Sequence, residues 1–533
     1  MSDSESARLP NKGANVHAAL EAWEEGCALL FDAIKAYQAS CDTFRAACMA
    51  SLGQPDGFAN LEETLLAINS RLGCLETYED TLRNERMLLA AMRNTSGTLV
   101  RINSLPPEVL AKVFKPSKTC YIGHKSVRLY ELSHVCTRWR RIVLNTPDLW
   151  THIDIGPRVP NARSRLFLEN SRNNPICVHL SEGLESYKES KLQDNVIHEV
   201  VQTLMPHIQR VHTLDIQSQV DQRLPMAVAQ IWLEFGDPRL PKALSIFLPD
   251  GNGTSTVIDG SDKTGIRLEH PENTHQILCT IRKLHVQAAR FSWNSPAYRD
   301  LTDLRAYGET FVFNLKAPEL FNILASSPNL ETLRLESIVV SRPKGWTVPL
   351  PIAFNRLRTL MVHRYPLDSL VVLLSMITLV SECTVSVGTY NPDDSEIVAF
   401  FSRSRITTLC QSFFYGNDGI LSLGSHLDVL PHLRTIVLRD VDASRVIGRL
   451  PVVHGASHPL DIILVCSSVS MEALKHIIPA LKARSVRLER CHIWGGWPIS
   501  NLERSLVELY PQIKFSSSDN DSTDYLPCHS MLD

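Results

Sequence analysis

Nineteen histidines and thirteen cysteines, with 57 acidic residues, give this 533-residue chain ample material for catalysis or metal binding. Their spacing does not use it. A zinc site needs cysteine or histidine pairs repeated at ligand spacing. No C-x-x-C pair occurs, and the adjacent pairs Cys491-His492 and Cys528-His529 have no second pair to complete a tetrahedron. No G-x-x-x-x-G-K-S/T phosphate loop, G-x-G-x-x-G after a strand, H-E-x-x-H or G-x-S-x-G is present. Asp393-Asp394 follows Pro392 and reads as a helix start, where negative charge is favoured. The expectation is therefore no catalytic residue, no metal, no cofactor and no enzyme. What remains is recognition chemistry. Trp494 and Trp497, with Arg487 and Arg490 nearby, form a candidate aromatic and basic binding patch, and the same stretch also reads as a terminal cap loop. Phe413-Phe414-Tyr415 reads the same two ways, as a binding rim or as packing.

Charge narrows the partners. A net charge of −3 and a pI near 6.7 give no electrostatic reason to expect nucleic acid or an anionic membrane. The nearly apolar run Leu370–Val380 falls well short of the ~20 residues that a membrane span needs. An odd number of scattered cysteines suits reduced thiols, and the polar first residues lack a signal-peptide core. Both point to the cytoplasm or nucleus.

Several elements must position these residues. Val16 to Ala50 reads as a helix, with Leu20, Trp23, Cys27, Leu30, Ile34 and Tyr37 three or four residues apart. Cys41 and Cys48 extend that face and read as core. After the Gly53–Gly57 break, a second helix runs from about Asn60 to Met92. Leu61, Leu65, Ile68, Leu72, Leu75, Tyr78, Leu82, Leu89 and Met92 line its seam, interrupted by Arg86. An antiparallel hairpin with the first helix and an intermolecular coiled coil both fit, so self-association through these helices stays open.

From Arg101 to Ile155 the chain reads as two short amphipathic helices, a proline stop and a tryptophan leading into a strand. Proline suits a first helical turn, so the first helix starts at Pro106-Pro107, with Val109, Leu110, Val113 and Phe114 on one face. Leu129, Leu132, Cys136, Trp139 and Val143 form the stripe of the second, which Pro147 closes. The run L-P-P-E-V-L, V-F, L-x-x-V-C-x-x-W-R-x-I and P-D-L-W-x-x-I resembles the F-box, in the form abundant in F-box-like proteins of mushroom-forming fungi. The resemblance covers about a tenth of the chain. It implies docking to the adaptor subunit of a cullin–RING ubiquitin ligase. Leu105 and Pro106 match the inserted leucine–proline dipeptide; Glu108, Val109, Leu110, Val113 and Phe114 match the first helix; Leu132, Val135 and Cys136 match the second, and Trp139 the typical aromatic. The sequence departs from the pattern at Lys115-Pro116-Ser117-Lys118, where Pro116 must end the first helix early.

Beyond Trp150 a core of the form L-x-x-L-x-L recurs. Leu333, Leu360, Val385, Leu409, Ile436, Ile463 and Val486 mark its copies, at steps of 27, 25, 24, 27, 27 and 23 residues. That period lies in the leucine-rich-repeat range. Leu214, Leu244, Leu284 and Leu304 carry looser copies, with a polar insertion at Pro249–Asp262. Pro318–Ser326, Leu367–Leu379, Asp394–Ser402 and Met471–Lys482 read as helices between the cores. The asparagine usual in such repeats is missing, with Ser337 and Asp440 near its place. The expected fold is α plus α/β: a helical hairpin or short coiled coil, a small helical F-box, then an irregular leucine-rich-repeat solenoid with helices on its convex side, as in repeat arrays that accompany F-boxes. Expected boundaries are 1–57, 58–100, 101–155, 156–513 and a disordered tail over 514–533. The resemblance implies a substrate-recognition subunit of an SCF-type ligase that holds a target protein on its repeats. The alternative is an interaction scaffold without a ligase.

Overall fold

The computed structural model describes residues 12–51, 61–96, 100–115, 127–155, 162–181, 194–218, 222–248, 256–258, 270–308, 313–347, 349–388, 394–412, 429–440, 459–493 and 499–518. The chain divides into two units, Met1–Ser104 and Leu105–Asp533. The F-box-like stretch from Leu105 onward lies in one unit with the repeated cores.

The first unit holds helices α1 (Lys12–Ser51) and α2 (Leu61–Thr95), close to the expected bounds. Neither buries a described side chain below the surface. Cys41 and Cys48 are half-buried and not core.

The second unit is organised by a 14-stranded sheet in which each strand lies parallel to the next in sequence. We number them β1 (His152–Ile155), β2 (Ile176–Ser181), β3 (Val211–Gln217), β4 (Lys242–Phe247), β5 (Ile281–Gln287), β6 (Asp303–Tyr307), β7 (Thr332–Glu336), β8 (Thr359–His363), β9 (Cys383–Val387), β10 (Ile406–Ser412), β11 (Thr435–Arg439), β12 (Leu460–Val465), β13 (Ala483–Glu489) and β14 (Lys514–Ser518). Parallel neighbours need long crossovers, which is why the cores recur so far apart.

Register explains the apolar code. Leu214, Leu244, Leu284, Leu304, Leu333, Leu360, Val385, Leu409 and Ile436 stand side by side across nine strands. None is more than 3% exposed. Leu335, Val362 and Leu438 fill the next inward position. Between the strands, Ala317–Ala325, Ser395–Arg403 and Met471–Ala480 are helical near the expected bounds. Asp394 caps the second of these by accepting from the amides of Glu396 at 2.9 Å and Ile397 at 3.4 Å. Ser337 and Asp440 follow their strands in the left-handed region, each at φ 54°. That conformation turns the chain out of the sheet where the missing asparagine would stand.

Four expectations are corrected. In β12 the inward residues are Ile462 and Leu464, paired in register with Ile436 and Leu438. The expected marker Ile463 is one residue out, and a one-residue slip exchanges the two faces. Both faces of β12 are apolar, so alternation could not settle it. The helix from Leu367 ends at Ser375, and Ile377–Leu379 is a short strand paired with Ile352–Phe354. Lys514–Ser518 is the last sheet strand, not tail, because Phe515 aligns with Val486 on the open edge of β13. The polar insertion returns at Thr256–Val257, a strand paired with Ala289–Arg290.

Candidate protein-docking surfaces

The F-box-like region is built from three helices where two were expected. A 3-10 turn, Arg101–Ser104, precedes α3 (Pro107–Phe114). Pro106 caps α3, and Pro107 opens it where a missing N–H costs nothing. The helix stops at Phe114; Lys115 is extended, as the residue before a proline prefers. Residues 116–126, including Pro116, Ser117 and Lys118, lie outside the described residues. The expected second helix is α4 (Val127–Val135) and α5 (Thr137–Asn145). The break is Cys136, extended at φ −160°, whose sulfur accepts from the Trp139 amide at 3.5 Å. Helical periodicity runs across this break unchanged, so the sequence hid it.

Packing divides the resemblance residues into two groups. Leu110 and Phe114 are buried, with Leu129, Ile142, Val143, Leu149 and Trp150. Phe114 meets the half-buried Trp139 ring at 4.7 Å. The Trp150 indole donates to the Val143 carbonyl at 2.7 Å and stands edge-on to Phe167 at 4.8 Å. Trp150 is thus the joint between the helices and β1. Leu105, Leu132 and Cys136 are half-buried. The Arg138 guanidinium donates to the Leu105 carbonyl at 2.7 Å, tying the start of α3 to α5. Outside stand Pro106, Glu108, Val109, Val113 and Val135. Val113 is 59% exposed, Val135 51% and Tyr130 on α4 63%. Tyr130 was not singled out from the sequence; it lies one residue from the stripe position Leu129, on the other face. These residues offer apolar surface that their own helices do not cover.

A second surface is the sheet face turned away from the leucine rows. Its central row reads His179, Asp215, Ser245, His285, Arg305, Arg334, Met361, Ser386, Cys410, Val437, Ile463 and Arg487 from β2 to β13. From Asp215 to Val437, and again at Arg487, each residue directly follows a core marker, but which of them meet across strands is set by register. The first half is ionic. His179 bonds Asp215 at 3.0 Å, and Ser245 bonds His285 at 3.2 Å. Asp303 takes two bonds from Arg305, at 3.0 and 2.8 Å, and lies 3.2 Å from His285. Burial alone would raise the Asp303 carboxyl, but His285 and the Arg305 guanidinium outweigh it and hold it down at about 2. Burial lowers His285, against the pull of Asp303. The second half is apolar: Cys410, Val437, Ile463 and Val465 form one buried cluster.

Of the candidate aromatic and basic patch, Arg487 lies in this row, 3.6 Å from Glu489, and Arg490 is exposed just after β13. Trp494 and Trp497 lie outside the described residues, as do Phe413, Phe414 and Tyr415. Among the described residues no helix is long and apolar enough to cross a membrane.

No curated protein matches the chain. Residues 102–156 match the family model described as F-box-like, which covers all three helices and β1. The chain carries an F-box-like domain, built on Trp150 and joined by β1 to a long parallel sheet.

Proposed function

We propose that this chain is the substrate-recognition subunit of an SCF-type cullin–RING ubiquitin ligase. The observation that carries the reading is the exposed apolar surface of Pro106, Val109, Val113, Tyr130 and Val135 on an F-box-like domain. F-box domains in general bind the ligase adaptor. An exposed apolar group of this kind needs a partner to leave water. The strand-and-crossover array after it is read as an irregular leucine-rich-repeat solenoid, whose sheet face, ionic in its first half and apolar in its second, holds the target. Such arrays bind along an extended surface and need no catalytic pocket. The chain then performs no chemistry itself. It supplies proximity and orientation to a recruited conjugating enzyme, in the cytoplasm or nucleus.

The test is co-elution of the full chain with the ligase adaptor. Leu105→Ala with Pro106→Ala, and separately Val113→Asp, should abolish co-elution. Val113→Asp should leave the melting temperature unchanged, because Val113 packs against little. Co-elution that survives both variants would sink the proposal.

A further inference from the structure

The N-terminal helices carry 18 of the 30 exposed large apolar side chains among the described residues. Patches of that kind mark association. Along α1, Leu20, Trp23, Cys27, Leu30, Ile34, Tyr37, Cys41, Phe44 and Cys48 alternate steps of three and four without a break. That is a heptad seam about 40 Å long at 1.5 Å per residue. Its large members stay open to solvent: Trp23 is 50% exposed, Tyr37 48% and Phe44 49%. Cys41 and Cys48 are only half-buried.

We propose that α1 pairs antiparallel with α1 of a second copy of this chain. Three features of the helix point to that occupant and direction. The first is volume. One seam line holds the large Trp23, Leu30, Tyr37 and Phe44; the other holds Leu20, Cys27, Ile34, Cys41 and Cys48, of which the three cysteines are small. Antiparallel pairing sets each line against the other, so Trp23 meets Cys48, Leu30 meets Cys41, Tyr37 meets Ile34 and Phe44 meets Cys27 of the second copy. Parallel pairing stacks tryptophan on tryptophan and cysteine on cysteine, which overfills some layers and leaves voids in others.

The second feature is charge. In the antiparallel register Glu24 on one flank of the seam stands opposite Arg45 of the second copy, and twofold symmetry makes the pair twice. Among the described residues Arg45 pairs with Asp42 alone, at 3.2 Å and exposed, a kind of pair worth little. The third feature is the other flank, Ala19, Gly26, Ala33, Ser40 and Ala47, which is small throughout. A Cβ at Gly26 would meet nothing within 4 Å in this chain, although glycine weakens a helix. Small residues on that flank let a second backbone approach.

The competing occupant is α2, whose Ile68 and Leu75 are half-buried. Closing α2 fully onto α1 in the matching antiparallel register sets Glu79 and Arg86 against Leu30 and Trp23. It also gives Glu24 and Arg45 different partners, Arg83 and Glu62. The two arrangements therefore separate by charge reversal. The pairing does not rest on the ligase reading, and failure of adaptor co-elution leaves it standing.

Light scattering on the full chain over a dilution series should give twice the 59.8 kDa chain mass at micromolar concentration. Glu24→Arg or Arg45→Glu alone should weaken association about tenfold, since each turns two attractive contacts repulsive. The double variant should restore it, because both reversed charges meet again across the seam. A monomer at every concentration, single variants that associate normally, or a double variant no better than the singles would each overturn the proposal. The first outcome is the one that full closure of α2 onto α1 predicts.

Discussion

At the scale of single residues, burial and partners set what each side chain does. Trp150 fills the joint between the F-box-like helices and β1 and satisfies its indole N–H on Val143. Trp150→Ala should cost about 3–5 kcal/mol in chemical denaturation, and Trp150→Phe about 1 kcal/mol for the lost hydrogen bond. Asp303 is a different case, a buried carboxylate held by Arg305 and His285. Its pKa of about 2 lies below the ordinary 3.8, so the unfolded chain binds the proton more readily. The stability this gives is fully present above the ordinary value and is lost as pH falls through about 2. His285, lowered from 6.5 by burial, adds its own loss as pH falls below that value. Asp303→Asn should remove the steeper loss under acid. It should also cost about 3–5 kcal/mol at neutral pH by leaving Arg305 buried without its counter-charge. Equilibrium denaturation from pH 7 to 3 tests both; equal slopes for the two proteins would refute the assignment.

At the scale of elements, caps and register decided where the pattern was ambiguous. Asp394 begins its helix as expected, and Asp394→Ala should destabilise by about 1 kcal/mol through the lost cap. Cys136 shows the opposite case. Its extended backbone ends α4 and its sulfur starts α5, within a stripe that reads as one continuous helix. In β12 the apolar residues run through both faces, and only pairing with β11 shows that Ile462 points inward. The ionic row from His179 to Arg334 is built from separate strands, so no local stretch of sequence displays it.

At the scale of the whole molecule, the two units differ in how their helices gain stability. The sheet unit buries continuous rows of leucine, whereas α1 and α2 bury no described side chain in this chain. Hydrogen exchange should follow that difference. Amides of α2 should exchange at least about tenfold sooner than those of β7 and β8, because protection follows burial and cooperative opening. Comparable protection in both would mean that α2 is covered in solution.

Local periodicity was enough for most element types and most of the inward leucines, since each strand carries its own copy. The Pro106-Pro107 start and the Trp150 end of the F-box-like region are also local signals, whereas the break at Cys136 is not. Long-range packing was needed for the face of β12, the strand at Lys514–Ser518, the division of the F-box residues into Leu110 and Phe114 inside and Val109 and Val113 outside, and the row that joins His285 to Asp303 and Arg305. Each of these depends on which neighbour lies alongside, and that is a property of long-range pairing, not of any window of the chain.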